Sequence, residues 1–442
     1  MNILSKSLAC CALVALIGAS QNILAQTTNP PKKSVQRFPD PDAVALNNLL
    51  AAAQAAMDKK DYAAAAQNYQ DYLAKKPDDA NIHFQLGYAY SALQRPADAK
   101  AEYERAIALD PRMSAAYLNL GLTLLASDPQ AATAPLQKAV ELTPDSPEPK
   151  YLLGAALERS GKADAAIEQY QAAEKLDDKN FDIHFALART LLVANRPKDA
   201  EPEFRSALNL EPESGPAHLG LAQSLLAQKK TEVAAAELAA YLETHPNDAQ
   251  ARMERASVLT DLGKNDEALA ELDRAAAVRP ENLPALKLRS LIYFQMKRYD
   301  DAIPALQKAA ALAPEDPDIR ARLGHLYLEK KDYPDAVSEL IAAFRLNPNA
   351  NDVLGDLVAA QYLNKNYAAA VKGLDLLSQR ETLPLGTQFI RATCYDKLGQ
   401  VPEALDAYQT FLSQNKDETS DMYFEATARV RFLIRELQTK KR

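Results

Sequence analysis

The side chains best suited to chemistry in this sequence are its five histidines. They are His83, His184, His218, His245 and His325. Metal binding would need at least two of them at about 2 Å from one ion. The catalytic and binding motifs H-E-x-x-H, C-x-x-C, G-x-x-x-x-G-K-[ST], G-x-G-x-x-G and G-x-S-x-G do not occur in the chain. The sequence therefore predicts no enzyme, no cofactor and no metal site.

A second group of candidates is formed by basic side chains in the second half of the chain. They are Arg252, Arg255, Lys287, Arg289, Arg320 and Arg322, with Arg391 lying apart. Such groups on one strip would attract a carboxylate or a phosphate. Alternatively, each arginine packs its aliphatic stem between helices and pairs with an Asp or Glu of the next helical turn. We favour the second interpretation.

Composition excludes several classes of protein. The 442 residues are 48% hydrophobic and 25% charged, with a formal net charge of −8. No basic arm is long enough to follow a nucleic-acid backbone, so nucleic acid is not an expected partner. Only 13 residues are Gly, and no long Val/Ile/Thr-rich alternation is present, so an all-α fold is expected.

The elements that position these side chains follow from a repeat of 34 residues. Prolines recur at Pro77, Pro111, Pro144, Pro212, Pro246, Pro280, Pro314 and Pro348. Alanines recur at Ala65, Ala99, Ala132, Ala166, Ala200, Ala234, Ala268, Ala302, Ala336, Ala370 and Ala404. A large side chain follows each alanine by four residues. Eleven repeats result.

Each repeat predicts two helices. Where the repeat begins at Ala80, Leu86, Gly87 and Tyr90 share one face of a first helix. Counted from that start, position 8 is small because two helix backbones approach closely only without a bulky side chain between them. The closing proline ends the second helix, since it has no N–H to donate.

The motif Leu86-Gly87-x-x-Tyr90, followed by Ala99-x-x-x-Tyr103 and Pro111, resembles the tetratricopeptide repeat. The resemblance implies a right-handed α-solenoid of eleven helical hairpins over residues 46–418. The chain departs from the family pattern because it has no Trp. The third repeat is one residue short, and the tenth has Val358 at position 8 and Thr382 in place of the closing proline.

A further amphipathic segment lies within residues 419–442. Ala426, Val430 and Leu433 fall on one face of this predicted helix. We interpret it as a capping helix that covers the last apolar surface of the array and ends in a short basic tail. The alternative is a docking helix for a partner.

The resemblance also places a ligand-binding surface, because positions 2, 5, 9 and 12 of the first helices line the concave side in this family. The stripe is apolar in repeats 2 to 5. Its candidate ligand-binding residues are Phe84, Tyr88, Leu118, Leu122, Tyr151, Phe185 and Arg189. Contiguous apolar side chains facing solvent are typical of an interaction site. Alternatively, they pack on one another across a tight inner curve. His325, at position 9 of a later repeat, is also expected to face this groove.

Residues 1–25 have the pattern of a cleaved secretory signal, with Lys6 before the apolar run of residues 8–17. That run is too short to cross a membrane, which needs about 20 residues. Residues 26–42 are a proline-containing linker. After cleavage Cys394 would be the one remaining cysteine, so no internal disulfide is expected. The sequence predicts export to the bacterial periplasm or cell envelope.

Together these features predict a non-enzymatic scaffold that binds a protein or peptide partner in its concave groove. Two alternatives remain open at this point. One is a structural or self-assembling element of the envelope. The other is a carbohydrate-binding accessory protein, since a glycan site would leave no signature in this sequence.

Overall fold

The computed structural model describes residues 41–280 and 282–440. The predicted signal of residues 1–25, the linker up to residue 40, and the tail residues 441–442 lie outside this part. Within the described residues the chain is entirely helical, with 23 helices and no strand. Helices also pack with their neighbours as consecutive pairs. This confirms the predicted all-α array of hairpins.

The helices are α1 (Pro41–Asp58), α2 (Tyr62–Leu73), α3 (Ala80–Ala92), α4 (Pro96–Leu109), α5 (Ser114–Leu125), α6 (Pro129–Leu142), α7 (Pro147–Arg159), α8 (Ala163–Glu174), α9 (Phe181–Val193), α10 (Pro197–Leu210), α11 (Gly215–Ala227), α12 (Thr231–Thr244), α13 (Ala249–Asp261), α14 (Asn265–Val278), α15 (Leu283–Gln295), α16 (Tyr299–Leu312), α17 (Pro317–Glu329), α18 (Tyr333–Leu346), α19 (Asn351–Leu363), α20 (Tyr367–Ser378), α21 (Leu385–Lys397), α22 (Val401–Gln414) and α23 (Asp421–Lys440). Helices α1 to α22 form repeats 1 to 11 in pairs. Helix α1 begins at Pro41, earlier than the predicted start of the array at residue 46, and proline suits the first turn of a helix.

The chain divides into two compact units, Met1–Leu109 and Asp110–Arg442. The first contains repeats 1 and 2, and the second contains repeats 3 to 11 and α23. In each unit, consecutive hairpins pack side by side through their neighbours, as in an α-solenoid. Among the described helices, none combines the length and the apolar character that a membrane crossing requires.

Close packing within each hairpin depends on the small residue at position 8. A Cβ added to Gly87 would lie 2.8 Å from Cδ1 of Tyr103, and one added to Gly154 would lie 2.7 Å from Cδ1 of Tyr170. Both rings are almost completely buried. The predicted pairing of a small residue with a large one is therefore present in both compact units.

Repeat 10 keeps this packing by exchanging the two roles. Val358 stands at the small position and is buried beside Leu374. The second helix compensates with Gly373, whose added Cβ would lie 2.6 Å from Cγ2 of Val358. The departure seen in the sequence is thus accommodated by a glycine on the facing helix.

The turn between the two helices of a repeat contains one residue in the left-handed region at position 15. Lysine holds this conformation at five turns, including Lys297 with φ of 57°, and glycine holds it at three, including Gly161 with φ of 75°. Repeat 3 has no such residue, and there α6 begins at Pro129 immediately after its cap Asp128. The residue missing from repeat 3 is therefore the turn residue.

Helix α23 covers the end of the second unit, as predicted. Ala426 and Leu433 are buried, and Val430 packs against the same cluster. Arg429 donates two hydrogen bonds of 2.6 Å to the carboxylate of Asp396 on α21. These contacts fix the helix on repeat 11.

Candidate functional site

The seven predicted groove residues are distributed over both compact units. Phe84 and Tyr88 lie on α3 in the first unit. The others lie in the second unit: Leu118 and Leu122 on α5, Tyr151 on α7, and Phe185 and Arg189 on α9. The patch that the sequence predicts as one surface therefore consists of two groups, each described in its own unit.

The aromatic groove residues at position 5 pack on the inner ring of their own repeat. The ring centroids of Phe84 and Tyr103 are 5.8 Å apart, and those of Tyr151 and Tyr170 are also 5.8 Å apart. Phe185 meets Phe204 edge to face at 6.1 Å. Side chains predicted to face solvent are therefore half-buried, because one face of each ring supports the core.

The remaining groove residues differ in exposure. Leu118, Leu122 and Tyr88 are half-buried, whereas Arg189 is exposed. Leu118 packs against the cluster that contains Leu125. The apolar members therefore expose part of their surface, and Leu118, Tyr151 and Phe185 pack on buried core residues.

A polar network crosses from repeat 4 to repeat 5 beside Tyr151. One Arg189 nitrogen donates to both carboxylate oxygens of Glu158, at 2.8 and 2.9 Å. The hydroxyl of Tyr170 donates to the same carboxylate at 2.9 Å. Burial and then the Asp182 carboxylate raise the pKa of Tyr151 to about 12. Tyr151 is thus a neutral phenol in a site that also contains fixed charges of both signs.

Histidines at position 4 link each repeat to the one before it. In His83 the ring nitrogen Nε2 donates to the carbonyl oxygen of Pro77 at 2.9 Å, and Nδ1 lies 2.6 Å from Glu102. His218 forms the same two contacts with Pro212 and Glu237. These histidines therefore have a structural role, as the sequence suggests.

Arginine replaces histidine at the same position in later repeats. Arg252 donates to the carbonyl of Pro246 at 2.7 Å and to Glu271 at 2.6 Å. Arg320 donates to Glu339 at 2.9 Å. Sequence reasoning missed this link, although a basic residue at position 4 accompanied by Glu at position 23 signals it.

Most of the other basic residues of the predicted strip are also paired with carboxylates. Arg255 donates to Glu271 at 2.5 Å, Lys287 to Asp316 at 2.8 Å and Arg289 to Asp273 at 2.8 Å. Arg391 binds Asp375 in the same way, and Arg322 is exposed. The favoured interpretation is right that these residues pair with carboxylates, but the partners lie 16 to 29 residues away in the chain and not in the next helical turn.

His325 lies at position 9 of repeat 9, as expected for a groove residue. Its Nδ1 is 3.8 Å from a carboxylate oxygen of Asp356, and its ring centroid is 5.8 Å from that of Phe294. Burial raises the pKa of Asp356, and the neighbouring His325 opposes that shift.

A different cluster lies between repeats 4 and 5. Among the described residues, Glu174, His184 and Glu203 each have one nitrogen or oxygen atom able to bind a metal ion, and these three atoms all lie within 4.8 Å of one another.

Comparison with protein families identifies the repeats. One family model described as "Tetratricopeptide repeat" matches residues 50–95, 84–147, 126–181, 151–218 and 253–317, which is more than half of the chain. The chain belongs to the tetratricopeptide repeat family. Two further models of the same description match residues 194–258 and 293–351, and residues 387–417.

Several solved structures resemble parts of this chain in fold. YrrB, "a TPR protein with an unusual peptide-binding site", is 23% identical with a TM-score of 0.39, covering 42% of this chain and 95% of that one. MamA from Desulfovibrio magneticus RS-1 is 22% identical, with a TM-score of 0.37 and coverage of 40% and 98%. PilF of Pseudomonas aeruginosa is 24% identical, with a TM-score of 0.37 and coverage of 46% and 93%. A search of curated proteins found no match.

Tetratricopeptide repeat proteins bind protein partners and are typically interaction scaffolds rather than enzymes. The repeat fold of this chain is one that suggests protein–protein interaction. Which residues would contact a partner depends on the groove side chains described above.

Proposed function

We propose that this tetratricopeptide repeat protein is a scaffold that binds a segment of a partner protein along repeats 3 to 5. The observation that supports this is the run of half-buried apolar side chains on three consecutive first helices. Leu118, Tyr151 and Phe185 pack against core clusters, and these three and Leu122 keep part of their surface exposed. Rigid anchors of this kind dominate binding energy. Phe84 and Tyr88 form a similar pair in the first unit.

Charged groups beside Tyr151 indicate the chemistry of the partner. Asp182 on α9 is exposed, and Glu148, three residues before Tyr151 on α7, has a pKa raised by burial. Glu158 is already paired with Arg189. The carboxylates left over favour a partner segment with a basic residue next to an apolar anchor.

Crosslinking from defined positions tests this proposal. A photoreactive amino acid at Leu122 should capture a partner, because Leu122 is half-buried and its replacement leaves the ring pairs of the position 5 residues intact. Replacing Phe84 or Tyr151 is less suitable because each supports a buried tyrosine. The matched control is Glu168, an exposed residue on α8. Equal capture from Glu168 and Leu122 would reject the groove assignment.

We also propose that the protein is exported to the periplasm or cell envelope. The support is the signal-like pattern of residues 1–25, which lie outside the described part of the structure. In cell fractionation, protein expressed with residues 1–25 should be recovered from the periplasm, whereas protein expressed without them should be recovered from the cytoplasm. The same fraction for both would contradict export.

Self-association is a second candidate function, favoured by the outer face of α23. Phe424 is 62% exposed and Phe432 is 54% exposed, although a capping helix is expected to be polar on that side. Mass measurement over a range of concentrations distinguishes the two functions. Dimers that disappear in Phe424→Ser favour assembly, and a monomer throughout favours the scaffold role alone.

A further inference from the structure

The histidine link of repeat 5 differs from the other two because it includes a second carboxylate. Nδ1 of His184 lies 2.7 Å from an oxygen of Glu203 and 4.0 Å from an oxygen of Glu174. His184 is only 4% exposed, while the side chains of Glu174 and Glu203 are 29% and 18% exposed. The three groups therefore converge in a protected place that solvent still reaches through the carboxylates.

Glu174 breaks a rule that the other repeats follow. It occupies position 28, at the end of the second helix of repeat 4. The corresponding residues elsewhere are Leu73, Ile107, Val140, Leu208, Leu242, Ala276, Ala310, Phe344, Ser378 and Leu412. Leu73 and Leu208 thus hold the place next to His83 and His218. Glu174 is the one charged residue at a position that is apolar in nine of the other ten repeats and Ser378 in the tenth, and a departure of this kind from the local pattern indicates a functional site.

The charges in this group do not balance without an additional cation or proton. Glu174 and Glu203 each bring a carboxylate oxygen to the same imidazole nitrogen, at 4.0 and 2.7 Å from Nδ1 of His184. Two half-buried carboxylates therefore share one imidazole. A divalent cation would neutralise both of them.

The hydrogen bonds around His184 orient it as they do in a metal ligand. A carbonyl oxygen only accepts, so Nε2 donates its hydrogen to the oxygen of Asp178 at 3.0 Å. A proton lies between Nδ1 and the Glu203 carboxylate, which are 2.7 Å apart, and a metal ion would take the place of that proton on Nδ1. Metal-binding histidines commonly donate their other N–H to a carbonyl in this way.

We propose that Glu174, His184 and Glu203 bind one divalent transition-metal ion, with zinc as the probe ion. Zinc accepts histidine nitrogen and carboxylate oxygen at about 2.0 to 2.2 Å, and three protein ligands leave a fourth position for water. Ligands at that distance in a tetrahedral site lie about 3.3 Å apart, so zinc would require Nδ1 of His184 and the Glu203 oxygen to separate from 2.7 Å and the Glu174 oxygen to approach from 4.0 Å. This site differs from the sequence prediction of no metal, which considered only distances between histidines and not carboxylates from adjacent helices.

Calorimetric titration of the full-length, chelator-treated protein with zinc chloride tests the proposal. We expect the wild-type protein to bind one more zinc ion than Glu174→Leu, which copies the residue found beside His83 and His218. His184→Gln should lose the same ion. His83→Gln is the matched control and should bind zinc as the wild-type protein does. Affinity in Glu174→Leu within about threefold of the wild-type value would overturn the site.

Thermal unfolding distinguishes a Glu174 carboxylate that binds metal from one that has no function. Without metal, Glu174→Leu should be more stable than the wild-type protein, because an uncompensated carboxylate has been removed. Zinc should then raise the melting temperature of the wild-type protein and leave that of Glu174→Leu unchanged. Equal zinc shifts for both proteins, or none for either, would refute the proposal. Both measurements are independent of the partner-binding surface. Failure of the proposed metal site can therefore be distinguished from failure of the proposed scaffold function.

Discussion

Replacing Glu271 with glutamine should destabilise repeat 7 more than any comparable change in the array. Glu271 is 1% exposed and accepts hydrogen bonds from Arg252 at 2.6 Å, from Arg255 at 2.5 Å and from Arg274 at 2.7 Å. Glutamine has nearly the same shape but no charge. The change therefore leaves the arginines in place and removes the carboxylate that neutralises them.

The magnitude follows from the exposure of the three arginines. The side chains of Arg252 and Arg255 are 12% and 19% exposed, so they remain charged in a poorly solvated place. Breaking a buried pair from one side costs about 3 to 5 kcal/mol. Arg274 is 62% exposed, and its ion pair is worth about 0.5 kcal/mol. Because the amide oxygen of the substituted glutamine still accepts one hydrogen bond, we expect a cost at the lower end of the buried-pair range, about 3 kcal/mol.

Hydrogen exchange measured on peptides from α13 and α14 is the appropriate assay, because repeat arrays do not unfold in one step. A loss of about 3 kcal/mol should speed exchange there by about a hundredfold. Glu237→Gln is the matched control, since Glu237 contacts His218 at 2.6 Å and no arginine. Its cost should be about 1 kcal/mol. Equal costs for Glu271→Gln and Glu237→Gln would refute the charge argument.

Three further predictions concern packing, turns and pH. Gly154→Ala should cost about 1 to 3 kcal/mol, because its Cβ would lie 2.7 Å from Tyr170. Gly355→Ala, with nothing within 4 Å of the added Cβ, should instead gain about 0.5 to 1 kcal/mol in urea unfolding. Equal effects would reject the packing argument. Lys297→Gly should increase the free energy of unfolding by about 1 kcal/mol and so raise the urea midpoint, because Lys297 has φ of 57°, which costs a residue with a side chain more than it costs glycine. A lower midpoint would contradict this. Burial raises the pKa of Tyr151 to about 12, so stability should fall as pH rises from about 10, where the unfolded chain ionises, to about 12. Tyr151→Phe should show a smaller fall in alkaline unfolding, and an identical curve would exclude Tyr151 as a source.

The repeat pattern made the hairpins predictable because each one satisfies the same local conditions. Ala99 and Gly87 allow close approach, and Tyr103 fills the space beside them. These conditions lie within one repeat and recur eleven times, so the sequence displays them directly. The start of α1 at Pro41 was not predicted, since the first turn of a helix has no periodic neighbours.

Contacts between repeats were harder to predict because they join residues far apart in the chain. The ligand set of Glu174, His184 and Glu203 comes from three successive helices. The replacement of small Gly by Val358 was visible, but its compensation by Gly373 was not. The half-buried state of Tyr151 was missed for a related reason. The helical pattern places Tyr151 on the groove stripe, facing solvent, while its ring packs against Tyr170 of the same repeat.

The contact between repeats that joins the side chain at position 4 to a glutamate and a proline carbonyl has an evolutionary consequence. His218 meets Pro212 through the same atoms that His83 uses to meet Pro77. Unequal recombination that deletes or duplicates a 34-residue block therefore recreates an equivalent junction wherever these residue types match. The length of the protein can change in whole blocks without exposing an unpaired polar group. Natural variants that differ by multiples of 34 residues are the expected outcome of such exchange.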